Sequence, residues 1–240
     1  LMEESALDKV VDPAAGSSFL EDLTLSLSEA AWSQFQAIEG EGGIEAVLLS
    51  GRLQSDVLAA RDTRLSKIST RRKPITGVSE FPNIDDEVMS LSLQPQTGHN
   101  ALSPCNLAAD FEALRDRSQT LEAPTVYLAT LGDLASFTPR ASFAKNFFEA
   151  GGIRAMQADS FEASGARIVV ICGSDLDYQE LAENTARSLT EKGAEKVLLA
   201  GSPGDKRAAY ETAGISEFIH MGVDLPAILA PVLDLLEKTA

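Results

Sequence analysis

Cysteine and histidine are scarce in this sequence. Its 240 residues include two cysteines and two histidines, which are Cys105, Cys172, His99 and His220. The cysteines have no paired spacing, so neither a disulfide framework nor a zinc knuckle is predicted, and a reducing compartment fits best. Neither histidine has a carboxylate, a cysteine or a second histidine at ligand spacing on a shared helix face. The sequence therefore predicts no protein metal site.

Positive charge and long apolar runs are also lacking. Twenty Lys and Arg residues stand against 36 Asp and Glu residues, and the formal charge of −16 repels a phosphate backbone over most of the surface. No uninterrupted apolar run approaches membrane-spanning length, and residues 1–9 carry acidic residues where a secretory signal carries basic ones. We therefore expect a cytoplasmic protein that binds neither nucleic acid nor membranes.

Two amphipathic helices are predicted in the first third of the chain. Ser18-x-x-Glu21 has the pattern of a capping box and begins the first helix, which the glycines at 40, 42 and 43 end. The second helix is predicted from Ile44 to Ile68, before the basic run Arg71-Arg72-Lys73 and Pro74. Residues 74–82 supply at most one strand. Because two helices without a sheet cannot close a core, we expect this region to be the end of something larger.

The second half of the chain predicts a parallel sheet. Residues 88–105 have a linker composition and 106–117 a short helix. Strands are then predicted at 125–131, 153–157, 167–171, 196–200 and 217–219, and helices at 140–150, 178–192, 205–212 and 225–237. Such alternation is typical of a parallel sheet with helices on both faces. Only residues 159–166 connect the second and third strands, so that crossover helix is either reduced to a turn or missing from the sequence.

Three segments carry a family resemblance. Residues 12–24 (DPAAGSSFLEDLT), the step from Ile38 to Gly43, and residues 71–78 (RRKPITGV) resemble, in order and spacing, the late-barrel region of methylmalonyl-CoA mutases. In that family a (β/α)₈ barrel is followed by a linker and a flavodoxin-like cobalamin-binding domain. The resemblance implies a barrel remnant over 1–92, a linker over 93–122 and a flavodoxin-like five-stranded domain over 123–240. Since a whole barrel takes about 250 residues, most of it is expected to be absent.

The resemblance also implies a function. Members of the family interconvert methylmalonyl-CoA and succinyl-CoA with the adenosyl radical that is released from adenosylcobalamin. Their barrel holds the thioester, and the smaller domain holds the corrin through a D-x-H-x-x-G motif after its first strand. The histidine of that motif reaches cobalt and the aspartate orients it.

This ligation motif is missing here. Aligning Gly132 and Gly151 with the glycines of the family places Leu134, Ser136 and Pro139 at the positions of Asp, His and Gly. A slip of one residue offers Ala135, Phe137 and Arg140, which is no better. The later Ser-x-Leu element persists as Ser174-Asp175-Leu176, whereas the following Gly-Gly becomes Ala200-Gly201. We therefore predict no catalytic, cofactor-binding or metal-binding residue in this chain.

The departure is similar to the small, non-catalytic subunit of heterodimeric members of the family. Such a subunit binds no cobalamin and supports a catalytic large subunit that carries adenosylcobalamin. The alternative is a stand-alone small-molecule-binding or signalling module on the flavodoxin-like sheet. A third hypothesis is a catalytic mutase with an unusual cobalt loop.

Several other residues have a structural and a functional interpretation. Asp133 and Asp175 could form the acidic cluster of a phospho-receiver, but Ile219-His220-Met221 stands where its lysine is needed, so exposed loop carboxylates are favoured. The run Gly201 to Lys206 lacks P-loop spacing and is interpreted as a turn. Cys172 is interpreted as a packed thiol. Arg71-Arg72-Lys73 could contact a CoA phosphate, but a helix C-terminus attracts bases for its own dipole, so the structural interpretation is favoured.

The helix after the first strand is predicted to begin at Pro139, with Thr138 as its N-cap. Phe137 is predicted either to act as a hydrophobic staple on the first turn or to lie over the end of the sheet where a corrin tail would pass. These choices predict that the loop after the first strand is folded and partly filled without any ligand.

Overall fold

The computed structural model describes residues 2–86, 102, 105–158 and 160–238. The chain divides into two compact units, Leu1–Ala59 and Ala60–Ala240. That division falls inside a helix. The predicted boundaries at 92/93 and 122/123 stay predictions, and His99 and most of the proposed linker lie outside the described residues.

The described part of the first unit is helical. It contains α1 (Met2–Ser5), a 3₁₀ turn (Leu7–Lys9), α2 (Ser18–Gly40), α3 (Gly43–Leu49) and the first part of α4 (Arg52–Ser69). The predicted capping box at Ser18 is wrong, because Ser17 is the N-cap and its side chain makes no capping hydrogen bond. The predicted single second helix is also wrong. Gly51, at a φ of 80°, lies between α3 and α4, and this left-handed conformation interrupts a helix.

Helix α2 buries no residue within this unit. Its large apolar side chains are exposed, including Phe19 (72%), Leu27 (62%) and Trp32 (59%). Trp32 and Phe35 stack on each other with ring centroids 5.2 Å apart. The amphipathic face that the sequence predicts is therefore present and uncovered in the unit.

The second unit begins with the end of α4 and the turn that follows it. Residues 74–82 form no strand, only an isolated bridge between Thr76 and Glu80. Helix α5 (Ala109–Gln119), close to the predicted short helix, holds this turn to the sheet layer. The Arg115 guanidinium donates to the carbonyls of Gly77 (3.1 Å), Val78 (3.0 Å) and Ala150 (3.1 Å). One side chain thus joins the turn to the rest of the unit.

The sheet confirms the predicted flavodoxin-like fold. Its strands are β1 (Thr125–Thr130), β2 (Arg154–Met156), β3 (Ile168–Cys172), β4 (Lys196–Ala200) and β5 (Ile215–Ile219). All neighbouring strands are parallel, in the order β2-β1-β3-β4-β5. This is the order of flavodoxin-like doubly wound sheets. β5 begins at Ile215, two residues before the predicted start. The prediction was late because the polar residues Ser216 and Glu217 interrupt the apolar pattern of this strand.

The connecting helices are α6 (Leu134–Glu149), α7 (Phe161–Ser164), α8 (Asp175–Glu191), α9 (Arg207–Thr212) and α10 (Leu225–Glu237). The short β2–β3 crossover is the single turn of α7, whose N-cap Ser160 accepts a hydrogen bond from the Ala163 N–H. The sheet separates two apolar clusters. One includes Phe147, Val170 and Leu229, and the other includes Val169, Tyr178 and Phe218. Among the described residues, no helix has the length and apolarity needed to cross a membrane.

Candidate functional site

The topology places a candidate site at the carboxyl edge of the sheet. The chain passes from β1 to β2 on one side and returns to β3 on the other, so the strand order reverses between β1 and β3. In open α/β sheets, ligands bind in the crevice outside the carboxyl ends of the strands at such a reversal. The residues that follow β1, β3 and β4 therefore decide what this edge can hold.

The loop after β1 is short because α6 starts earlier than the sequence predicts. Asp133, not Thr138, is the N-cap, and its carboxylate accepts a hydrogen bond from the Ser136 N–H at 2.8 Å. That bond holds the pKa of the Asp133 carboxyl below its ordinary value. Pro139 lies inside the helix, and Phe137 is partly buried against the core rather than acting as a staple. The predicted start at Pro139 is therefore wrong.

Because α6 starts early, the three positions aligned with the ligation motif lie in a helix and not in a loop. Leu134, Ser136 and Pro139 are all helical residues of α6, and Leu134 is 72% exposed. The expectation that residues 132–142 are folded is confirmed, since Leu134 onwards is helix. An N-cap aspartate competes with the Thr138-Pro139 signal, and here the aspartate decides where the helix begins.

Arg140 connects three elements at this edge. Its Nη1 donates to the Ala200 carbonyl at the end of β4 (3.0 Å), and its Nη2 pairs with Asp175 at the start of α8 (3.0 Å). Its guanidinium also lies 6.0 Å from the centre of the Tyr178 ring. An arginine from α6 is thus fixed across the ends of β3 and β4.

Tyr178 fills the space beneath this arginine. Its buried hydroxyl donates to the Ala200 carbonyl (2.7 Å) and accepts from the Gly173 N–H (2.9 Å). Burial raises the pKa of this hydroxyl. Burial also raises the pKa of Cys172 to about 12, so the thiol stays protonated at neutral pH and is no nucleophile. We call Arg140, Tyr178, Asp175 and the Ala200 carbonyl the edge network.

The glycines of the three loops show how closely this edge is packed. A Cβ placed on Gly132 would lie 2.7 Å from an Asp177 carboxylate oxygen, and one on Gly173 would lie 2.9 Å from the Leu131 Cβ. One on Gly201 would collide with the Arg140 guanidinium. Real Cβ atoms essentially never approach so closely, so these three glycines permit contact between backbone and side chains.

The residues at this edge do not fit a cobalt-ligating site. The loop after β1 offers no imidazole, and the space above β3 and β4 is occupied by the edge network. His220, the described histidine, follows β5, and its Nδ1 lies 3.0 Å from the Met221 carbonyl oxygen. No group of three or more His, Cys, Asp or Glu residues suited to a metal ion occurs in the described ranges.

The other sequence candidates are also engaged in structure. Asp133 caps α6 and Asp175 pairs with Arg140, so the two carboxylates serve separate contacts. Residues Gly204–Lys206 form a 3₁₀ turn before α9, and the Lys206 Nζ donates to the Gln179 carbonyl at 3.2 Å. This confirms a turn rather than a phosphate loop.

Sequence reasoning missed the edge network. Arg140 meets its partners across separations of 35 and 60 residues, and such contacts leave no local spacing to detect. The sequence offered only an arginine and a tyrosine at the starts of two predicted helices, 140–150 and 178–192. That signal indicates a contact only once the strand order is known.

Sequence comparisons with known proteins identify the family of this chain. The methylmalonyl-CoA mutase family model matches residues 1–151. The methylmalonyl-CoA mutase small subunit of Streptomyces virginiae is 39% identical over 249 aligned residues, which cover 98% of this chain and 39% of that protein. The small subunit of Propionibacterium freudenreichii subsp. shermanii is 32% identical over 252 residues, with the same two coverages.

The large subunit of the same Propionibacterium matches less of the chain. It is 31% identical over 81 residues, which are 34% of this chain and 11% of that protein. The chain spans about two-fifths of the length of the curated small subunits it matches. A family match over more than half of the chain, together with relatives aligned over nearly all of it, shows that the chain belongs to the methylmalonyl-CoA mutase family.

Proposed function

We propose that this chain is the C-terminal part of the non-catalytic small subunit of an adenosylcobalamin-dependent methylmalonyl-CoA mutase. It supports a catalytic large subunit in a cytoplasmic heterodimer. In this proposal residues 1–92 belong to the barrel, 93–122 to the linker and 123–240 to the flavodoxin-like domain. The interconversion of methylmalonyl-CoA and succinyl-CoA takes place on the large subunit, where the cofactor supplies the adenosyl radical.

The contrast between relatives supports the small-subunit assignment. Two small subunits align over 98% of the chain, whereas a large subunit aligns over 34% of it. A chain descended from a catalytic subunit would be expected to align with that subunit through its cofactor domain as well. The alternative of a stand-alone binding or signalling module has no comparable support.

The observation that carries the non-catalytic role is the edge network. Arg140 and Tyr178 occupy the carboxyl edge with protein groups, and both make hydrogen bonds to the Ala200 carbonyl. A ligand there would have to displace a charge-assisted bond and expose a buried hydroxyl, both of which are costly. The same edge offers no imidazole after β1. Both facts favour a domain that keeps the fold and has lost the cofactor.

Coexpression tests the proposal. The full-length protein would be produced alone and together with a methylmalonyl-CoA mutase large subunit from the same organism, and each sample analysed by light scattering, corrin absorbance and mutase assay. We expect the protein alone to be free of corrin and inactive. The pair should form a 1:1 heterodimer with one cobalamin and mutase activity. Stoichiometric corrin on the protein alone would overturn the proposal.

A single substitution tests the missing ligand. Ser136→His restores an imidazole at the aligned position but leaves α6 and the edge network in place, so we expect no cobalamin uptake. Leu134→His is the matched control, because it also adds an imidazole at the start of α6 but at the aligned position of the aspartate. A Ser136→His spectrum that shows histidine-ligated cobalamin would contradict the account of this edge.

A further inference from the structure

A second pocket lies at the end of α4, on elements separate from the carboxyl edge. Its volume is about 410 Å³. Four apolar residues line it, namely Ile68, Pro74, Ile75 and Leu107, together with the three basic residues Arg64, Arg72 and Lys73. Ligand pockets in proteins are commonly of about 300–1,000 Å³ and combine an apolar lining with a few convergent polar groups.

The end of α4 explains how these bases come together. The N–H groups of Thr70, Arg71 and Lys73 bond to the carbonyls of Ser66 (3.2 Å), Ile68 (3.0 Å) and Lys67 (2.9 Å) respectively. Arg71 has a φ of 55°, in the left-handed region, and the chain reverses there. The turn brings Arg72 and Lys73 back beside Arg64, which lies earlier on the helix.

Arg71 itself points the other way. It is buried, and its guanidinium lies 4.6 Å from the centre of the Phe143 ring and 5.5 Å from that of Phe147. The three residues of the basic run therefore lie in two different environments. Arg71 anchors the turn against α6, while Arg72 and Lys73 stay exposed at the pocket.

The helix dipole does not account for the three pocket bases. The carbonyls of Ser66, Lys67 and Ile68 in the last turn already receive backbone N–H groups, and Arg64 lies before that turn. Most arginines of the described chain are paired with carboxylates, including those at 117, 140, 154, 167 and 187. Arg64, Arg72 and Lys73 have no carboxylate partner among the residues that the structure describes.

The charge of this segment is opposite to that of the whole protein. Residues 61–73 contain six bases (Arg61, Arg64, Lys67, Arg71, Arg72 and Lys73) and one acid (Asp62), a net charge of +5 in a chain of −16. A local positive potential on an acidic protein concentrates small anions at that place and repels them elsewhere.

We propose that this pocket binds an organic phosphate ester. The guanidinium groups of Arg64 and Arg72 and the ammonium of Lys73 hold the phosphate, since arginine forks match phosphate oxygens. Ile68, Ile75 and Leu107 contact the apolar portion of the ligand. The ligand chemistry is a phosphate mono- or diester next to an apolar or aromatic group, which a soluble nucleotide and a lipid headgroup share.

Calorimetric titration of the full-length protein tests this site. Pyrophosphate, adenosine diphosphate and adenosine would be titrated at low salt, and sedimentation with phosphatidic acid vesicles would be measured alongside. We expect saturable binding of adenosine diphosphate, weaker binding of pyrophosphate and none of adenosine. Vesicle binding without nucleotide binding would identify a lipid headgroup as the source of the phosphate.

Two charge-matched triple variants locate the site. Arg64→Gln, Arg72→Gln and Lys73→Gln together should weaken binding at least about tenfold, because three charge-assisted contacts are lost. Lys9→Gln, Lys196→Gln and Lys238→Gln together change the net charge equally, lie outside residues 61–73, and should leave affinity unchanged. Leu107→Ser should weaken adenosine diphosphate more than pyrophosphate. Equal losses in both triple variants, or no saturable binding of any probe to the wild type, would overturn the proposal.

Discussion

The two units of this chain use amphipathic helices in opposite ways. In the unit of residues 60–240, α10 buries Leu225, Leu229, Val232 and Leu233 completely against the sheet. In the unit of residues 1–59, α2 also carries an apolar face, but none of its residues is buried and Phe19 and Leu27 are 72% and 62% exposed. The same periodic signal is thus satisfied within the unit in one case and left open in the other. Periodicity states that a face requires cover, and only the tertiary structure shows what supplies it.

The largest expected effect comes from expressing the two units separately. Residues 1–59 expressed alone should not unfold cooperatively, because their apolar faces have no core to enter. Residues 60–240 should give a cooperative thermal transition in circular dichroism. A helical, monomeric fragment of residues 1–59 with a cooperative transition would show that its helices need no further protein.

Phenylalanine truncation should sharpen the contrast at single residues. Phe147 is a fully buried residue of α6, whereas Phe35 on α2 is 50% exposed. We expect Phe147→Ala to lower the free energy of unfolding by about 3–5 kcal/mol and Phe35→Ala by less than about 0.5 kcal/mol, as measured in urea. Similar losses in both variants would mean that α2 is packed as firmly as α6.

Two glycines with the same backbone angle provide a smaller test. Gly152 has a φ of 77° and Gly16 a φ of 78°. A Cβ on Gly152 would overlap the Ser118 hydroxyl, whereas one on Gly16 would meet nothing within 4 Å. Gly152→Ala should cost about 2–3 kcal/mol, and Gly16→Ala about 1 kcal/mol from backbone strain alone. Adding Ser118→Ala to Gly152→Ala should recover part of the difference.

The edge network should contribute less than core packing. Arg140→Met removes bonds to the Ala200 carbonyl and Asp175, and we expect a loss of about 1–2 kcal/mol in urea unfolding. Arg187→Met is the control, because among the described residues Arg187 pairs with helix neighbours such as Glu183 at 3.3 Å, and such pairs contribute about 0.3–0.5 kcal/mol. Equal losses would argue against a stabilising network.

The smallest expected effect concerns the thiols. Cys105 is exposed and Cys172 is buried. At pH 8 Ellman's reagent should modify Cys105 rapidly and Cys172 only after unfolding, with Cys105→Ser as the control. Because burial raises the pKa of Cys172 from 9.0 to about 12, its contribution to stability is complete below pH 9 and is lost as pH rises toward 12. Cys172→Ala should flatten the decline in stability over that range.

Elements defined by local composition were predictable from the sequence. The strand at 196–200 and the helix at 225–237 are correct to the residue, since a short apolar run and an uninterrupted helical period each define their own limits. Boundaries failed where two local signals compete. At α6 the Asp133 cap prevailed over Thr138-Pro139, and after α3 Gly51 interrupted a helix that periodicity alone would continue.

Of the candidate site, the sequence predicted the missing imidazole but not the side chains that occupy the edge. The absence of an imidazole after the first strand follows from Leu134, Ser136 and Pro139 by alignment alone. The contacts that occupy the edge depend on strand order, because they join α6 to β4 and α8. The pocket at the end of α4 likewise depends on a chain reversal at Arg71. Arginine has no preference for the left-handed φ found there, so the sequence does not predict the reversal.

The two outer strands of the sheet bear on how this protein behaves in solution. An exposed strand edge is a template for adding a strand from another molecule, and short, irregular or charged edges suppress this. β2 is three residues long, and Arg154 on it pairs with Asp85. β5 has a register irregularity opposite Val197 and Leu198 and carries Glu217. Both edges of the sheet therefore disfavour the addition of a strand from another molecule, and the exposed apolar side chains of α2 are the surface that favours association.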